Sequence, residues 1–211
     1  MKEHREIQIK VCGIRDPLNL EQLCDLDPEY VGFIFYPRSK RFVGAEPDPG
    51  LFDIPKPAIK KVGVFVDEQL TRVIEAIDLY GLEAVQLHGR ESVDYCRKLS
   101  TQAVKLIKVL DPLESWRKME SYLNVVDFFL FDSGGAGTGG TGQKFDWELL
   151  EERPHHFPFF LSGGIGPGDE GMIRSLELPG FKGVDINSRF ELAPGLKDIE
   201  RLKEFFSEIR K

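Results

Sequence analysis

IQIKVCGI (residues 7–14) decides the fold and raises the chemical question with it. The alternation in IQIKVC is a strand pattern, because successive strand side chains leave opposite faces. Ile7, Ile9 and Val11 make one apolar face, and Gln8, Lys10 and Cys12 make the other. A strand that is polar on its second face and ends in a thiol and a glycine packs helices on one side and lines a site on the other.

Seven further β-rich runs follow: YVGFIF (30–35), KKVGVFV (60–66), EAVQLH (83–88), VKLIKVL (104–110), DFFLFD (127–132), PFFLS (158–162) and FKGVDI (181–186). Helical patterns separate most of them. Asp16-Pro17 is an N-cap followed by proline at the first helical position, opening PLNLEQLCDL. Leu70, Val73, Ile74 and Ile77 recur at helical spacing, and Gly81 ends that segment. Leu113, Trp116, Met119 and Leu123 form a similar stripe, as do Ile199, Leu202, Phe205, Phe206 and Ile209. The second unit is the exception, because AEPDPGLFDIPKP (45–57) carries too much proline for a regular helix. Strands alternating with helices predict parallel βαβ units. Eight units fit a closed (β/α)8 TIM barrel, an α/β fold, with residues 1–211 as a single domain. A doubly wound open sheet is the structural alternative.

Composition narrows the function. The chain is 41% hydrophobic, enough for one core, and its net charge of −7 argues against a nucleic-acid partner. A small anionic ligand is compatible with it, since a local basic cluster can sit in an acidic protein. MKEHREIQIK has no apolar core of a signal peptide, and no run approaches the roughly 18 apolar residues of a membrane span. Cys12, Cys24 and Cys96 are too few and scattered for a disulfide framework or a zinc site. His4, His88, His155 and His156 lack metal-ligand spacing. The expectation is a cytoplasmic protein with no metal and no membrane contact.

In a barrel, ligands bind at the C-terminal ends of the strands, so the chemistry is sought there. Cys12 falls at the mouth, and Lys10 on the same face is expected to favour its thiolate. Cys24 and Cys96 lie on apolar helical stripes and read as core. Asp132 ends the sixth strand above the glycine-rich SGGAGTGGTG (133–142), as a candidate acid or base, or as the cap of a turn. Gly137, Gly139 and Gly142 match G-x-G-x-x-G, but the context of a dinucleotide site is missing, and a mobile lid suits the loop better. The seventh strand ends in LSGGIGPGDEG (161–171) and the eighth in VDINSR (184–189). Backbone donors after these two strands suit a phosphate. In YPRSKRFV (36–43), Arg38, Lys40 and Arg41 form either a solvated basic patch or, with one arginine turned inward, a clamp for a second anion.

Taken in order, IKVCGI, GFIFYPRSKRFV, VGVFVD, VQLHG, the FD ending strand six, GGTGQKFDW, LSGG and GVDINSRFELAPGLKD resemble the phosphoribosylanthranilate isomerases of tryptophan biosynthesis. The resemblance implies a (β/α)8 barrel with no organic cofactor, performing an Amadori rearrangement on N-(5-phosphoribosyl)anthranilate. It implies Cys12 as general base, Asp132 as general acid and Arg41 on the anthranilate carboxylate. It also implies a phosphate held around Gly163 and Gly164 and at the strand-eight end, Asn187 and Ser188, with Lys10 grouped among the substrate-binding residues. The partner implied is a small phosphorylated substrate, and the assembly a monomer or homodimer. Acid–base work at neutral pH requires the thiol pKa to fall and the aspartate pKa to rise.

Two departures stand out: Arg189, where many relatives have glycine, and the proline-rich second unit. The isomerase of histidine biosynthesis runs the same rearrangement on a bulkier substrate, but typically with two aspartates, which the thiol at strand one argues against. A non-catalytic binder of phosphorylated metabolites is the alternative from another class.

Overall fold

The computed structural model describes residues 6–111, 116–132, 147–150 and 156–211. Eight parallel strands close into a barrel in sequence order. They are β1 (Gln8–Cys12), β2 (Tyr30–Ile34), β3 (Lys60–Phe65), β4 (Ala84–Leu87), β5 (Lys105–Leu110), β6 (Phe128–Phe131), β7 (Phe159–Leu161) and β8 (Phe181–Ile186). Each end lies within one residue of the run expected from sequence. Closure of β8 onto β1 excludes the open sheet, and its register sets Lys10 beside Asp185.

The helices form where sequence chemistry starts and stops them. In α1 (Pro17–Cys24), Asp16 Oδ1 accepts the Asn19 N–H at 2.8 Å, with proline at the first position. α3 (Leu70–Tyr80) stops at Gly81, whose φ of 57° is left-handed and whose N–H bonds to the Ile77 carbonyl. Val73 and Ile77 of its stripe are buried, and Leu70 and Ile74 are half-buried against the core. The second unit is indeed short: α2 is only Gly50–Asp53. Aromatic packing covers the barrel there instead, with the Phe52 ring 4.5 Å from Phe33 and 4.3 Å from Tyr80. α4 (Val93–Leu99), α5 (Trp116–Tyr122), α6 (Glu170–Ser175) and α7 (Ile199–Ile209) complete the outer layer. Met119 is buried and Leu123 half-buried, while Leu113 of the same predicted stripe lies outside the described residues. In α7 the predicted stripe packs inward, with Leu202, Phe205, Phe206 and Ile209 all buried. A hairpin of β9 (Glu191–Ala193) and β10 (Leu196–Lys197) follows a 3-10 turn, Ser188–Phe190, after β8.

Alternation along the strands makes two cores. Ile9 and Val11 of β1 join the large core between sheet and helices. Inside the barrel, Val62, Ala84, Ile107, Val109, Leu130 and Phe160 form a smaller apolar plug. Phe160 is its centrepiece, edge-on to Tyr30 at 5.5 Å and to Phe128 at 5.6 Å. Cys24 and Cys96 are buried in the outer core, as their stripes predicted, and burial pushes both thiols up to about 11. Truncating the plug, Phe160→Ala, is expected to cost about 3–5 kcal/mol, read as a lower urea midpoint at unchanged slope.

Candidate active site

A cavity of about 640 Å³ opens at the C-terminal ends of the strands, a size suited to a small organic ligand. Cys12, Asp132, Arg41, Gly163, Gly164, Asn187 and Ser188 all line it, so the topology gathers these residues from strands far apart in sequence. Cys12 on β1 and Asp132 just past β6 are separated by β7 and β8 round the closed sheet, and so face one hollow from different flanks.

Lys10 is placed differently. It is fully buried and does not line the cavity. Its ammonium donates to Asp185 Oδ1 at 2.8 Å, across the β1–β8 seam. Burial works to strip its proton, but Asp185, and then Cys12, hold the pKa above its ordinary value. The expected effect on the thiol is present but loses. Burial pushes Cys12 up, Lys10 pulls it down, Asp185 pushes it up again, and the net shift is upward. The sequence expectation of a lowered thiol pKa is therefore corrected: a buried sulfur loses more from desolvation than one already-paired lysine returns, so the shift is upward. Asp185 is likewise pushed up by burial, against the pull of Lys10.

Room for this group comes from β2. A Cβ at Gly32 would stand 2.9 Å from Cys12 Sγ and 3.2 Å from Lys10 Nζ. Any side chain there would displace both. Gly13, after Cys12, has a φ of 82°, and a Cβ there would meet Arg41 Cδ at 2.7 Å. The glycine of CGI thus lets Arg41 pack over the strand end.

Arg41 turns inward but is not solitary. Its Nε donates to Glu191 Oε1 at 2.8 Å and its Nη2 to Glu191 Oε2 at 2.6 Å. Lys197, also buried, donates to Glu191 Oε1 at 2.8 Å and to Asn187 Oδ1 at 2.7 Å. Burial raises the Glu191 pKa, but Arg41 and then Lys197 outweigh it and hold the carboxyl below its ordinary range. Asn19 of α1 fixes Lys197 by two backbone bonds, from its amide to the Lys197 carbonyl at 3.0 Å and from the Lys197 N–H to its Oδ1 at 2.7 Å. Arg38 and Lys40 also border the cavity.

At the other side, Gly163 and Gly164 take φ values of 85° and 70°, a left-handed path open to glycine. The Asn187 side chain does not cap the Ser188–Phe190 turn, since it is engaged by Lys197 instead. Arg189 also lines the cavity, its side chain lying over Gly166, where a Cβ would come within 3.2 Å of its Nε. The lid expected over residues 133–144, with Gly137, Gly139 and Gly142, lies outside the described residues.

Sequence reading passed over five groups here. Gln86, His88 and Asp185 follow from the alternation that exposed Lys10 and Cys12, once it is extended to β4 and β8. Glu191 and Lys197 carry no periodic signal, because they sit on an irregular hairpin. Among the described residues no three His, Cys, Asp or Glu groups cluster as a metal site, and no helix is long and apolar enough to cross a membrane.

Fold and rim together define the class: a (β/α)8 barrel whose mouth joins titratable groups to cationic and backbone anion donors. The family profile described as N-(5'phosphoribosyl)anthranilate (PRA) isomerase matches residues 9–208, and the chain belongs to that family. It is 43% identical over 204 residues to N-(5'-phosphoribosyl)anthranilate isomerase of Parabacteroides distasonis, covering 95% of this chain and 92% of that one. Identity to the Phocaeicola vulgatus enzyme is 35%, over 96% and 97% of the two chains. The crystal structure of phosphoribosyl anthranilate isomerase from Thermotoga maritima superposes with a TM-score of 0.81 at 32% identity, covering 97% of this chain and 99% of that one. Another isomerase structure, in complex with reduced 1-(o-carboxyphenylamino)-1-deoxyribulose 5-phosphate, gives 0.79 at 29% identity, with coverages of 97% and 99%.

Because Asp185 raises the Cys12 pKa, Asp185→Asn is expected to lower it. Thiolate absorbance followed against pH, in a Cys24→Ala/Cys96→Ala background, checks this. A midpoint below the ordinary free-thiol range in the parent would contradict the upward shift.

Proposed function

We propose that this chain converts N-(5-phosphoribosyl)anthranilate to 1-(2-carboxyphenylamino)-1-deoxyribulose 5-phosphate, as an aldose–ketose isomerase of tryptophan biosynthesis in the cytoplasm. Cys12 is the general base and Asp132 the general acid. The observation that carries this reading is their convergence on one cavity from β1 and the end of β6, in a chain that belongs to the isomerase family along nearly its whole length.

Asp132, protonated, gives its proton to the furanose ring oxygen as the C1–O bond breaks, and the nitrogen lone pair closes the iminium. Cys12 then takes the C2 proton, leaving an enolamine that tautomerises to the ketone. A buried thiol must first ionise. The cation created at the iminium favours the thiolate when it is needed. Asp185, with its raised proton affinity, is suited to receive the thiol proton through Lys10, which interacts with both groups. Lys10 thus acts from beneath the site rather than on the ligand.

The anthranilate carboxylate suits the Nη1 edge of Arg41, which makes no hydrogen bond among the described residues while Glu191 occupies the other edge. Glu191 and Lys197 hold that fork still, so little side-chain entropy remains to be lost on binding. The phosphate suits the backbone at Gly163, Gly164 and Ser188, with the Asn187 side chain turned to Lys197. The relative crystallised with a reduced product analogue bound that ligand, and a Thermotoga maritima relative is described as dimeric; for this chain we propose the same ligand class, as a monomer or homodimer.

Phosphoribosylanthranilate generated in situ is fluorescent, and its loss measures turnover. Wild-type protein is expected to consume it. Cys12→Ser and Asp132→Asn are each expected to reduce kcat by about 10²- to 10⁴-fold with the circular dichroism unchanged. Near-normal turnover in either variant removes that residue from its assigned role.

A further inference from the structure

Directly beyond the C-terminal end of β4, His88 faces the same cavity as Asp132, yet the acid–base scheme above gives it no task. We infer that His88 is a catalytic residue, whose Nε2–H binds the same furanose ring oxygen that Asp132 protonates. This inference rests on the isomerase reading and deepens it.

The first observation is an unused donor. His88 Nε2 is buried and has no hydrogen-bond partner among the described residues. Leaving a buried polar atom unsatisfied costs about 1–3 kcal/mol, so such atoms call for an explanation. His88 lines the cavity, and a bound ligand is assigned as the partner of this atom.

The second observation sets the tautomer. Gln86, two residues earlier on the same inward face of β4, places its Nε2 3.4 Å from His88 Nδ1. With the Gln86 amide in this orientation, which leaves its Oε1 buried without a partner among the described residues, the amide donates, Nδ1 accepts and the ring proton is assigned to Nε2. The ring is also kept uncharged. Burial, against the pull of Asp185 and reinforced by Lys108 and Lys10, lowers its pKa to about 4. At neutral pH His88 therefore offers a hydrogen bond without competing with Asp132 as a proton source.

The third observation is spacing. His88 Nε2 stands 3.8 Å from Asp132 Oδ2. That is too long for a direct hydrogen bond. One oxygen placed about 2.8 Å from each would lie about 2 Å to the side of the line joining them, so a single ring oxygen can contact both. In the ring-opening step the C1–O pair moves onto the ring oxygen, and the Asp132 proton moves onto the same atom. His88 keeps its own proton throughout and stabilises the charge that builds there before proton transfer is complete. A donor aimed at developing charge in an enclosed site is worth about 10²- to 10³-fold in kcat.

The test compares wild type with H88A, H88Q and H88N in the fluorescence assay. H88A is expected to lose about 100-fold in kcat with KM within about threefold. H88Q, whose amide nitrogen falls near the place of Nε2, is expected to recover at least tenfold of that loss. H88N, whose amide nitrogen falls near Nδ1, is expected to recover none. A kcat for H88A within threefold of wild type, or equal losses in all three variants, overturns the inference. A wild type that consumes no substrate overturns the isomerase reading itself, a separate result. Should the variants fail to fold, the wild-type His88 Nε2–H resonance in nitrogen-15 NMR decides. Reduced product analogue, whose former ring oxygen is a hydroxyl, is expected to shift it downfield, and an unchanged resonance overturns the inference.

Discussion

One buried ion pair, Lys10 with Asp185, both closes the barrel and sets the electrostatics of its mouth. The two residues are register partners across the β1–β8 seam, and the 2.8 Å contact joins the first strand to the last. Such a pair contributes little net stability, since desolvation offsets most of its attraction, but losing one partner is costly, at about 3–5 kcal/mol. It works mainly by fixing which strands meet and in what register. Cys12 follows two residues on, so the charges that hold the seam also act on the thiol, Lys10 against the larger effect of burial and Asp185 with it. Fold and chemistry share a single contact.

Two more buried lysines organise the rim in the same way. Lys197 bridges Glu191 and Asn187, and Glu191 in turn grips Arg41, so a guanidinium from the loop after β2 is held by a hairpin after β8. Lys108 of β5 faces outward under the helices. It donates to the carbonyls of Leu87 and Gly89 and to Glu91 Oε2 at 2.8 Å, while Glu91 accepts the Gly89 N–H. Those bonds satisfy the backbone just past β4, on either side of His88. A loop that carries a functional side chain is thus stiffened from behind by a charge that never meets solvent.

The fold was legible because its signal is periodic. All eight strands, the Asp16-Pro17 start of α1 and the Gly81 stop of α3 follow from β-rich runs, proline and glycine, and the weak second helix follows from its prolines. Cys12 and Asp132 were legible for the same reason, since each ends a strand at the functional face. Charge balance was not. Sequence shows that Lys10 shares a face with Cys12, but the sign of the thiol shift depends on how much water burial removes and on Asp185, 175 positions beyond Lys10. Arg41 was readable as an inward fork, but not its Glu191 counter-ion, which lies on a hairpin without a repeating pattern.

The seam also has a consequence for biogenesis. As the polypeptide leaves the ribosome, the β1 lysine emerges 175 residues ahead of its aspartate, so it must stay hydrated until the eighth strand arrives. The Arg41–Glu191 contact imposes a similar wait of 150 residues. The first strand can pair with β2 early, but closure onto β8 is deferred to the end of translation, which leaves one edge of β1 unpaired until then. The barrel's two ends must therefore meet before either of these ion pairs can form.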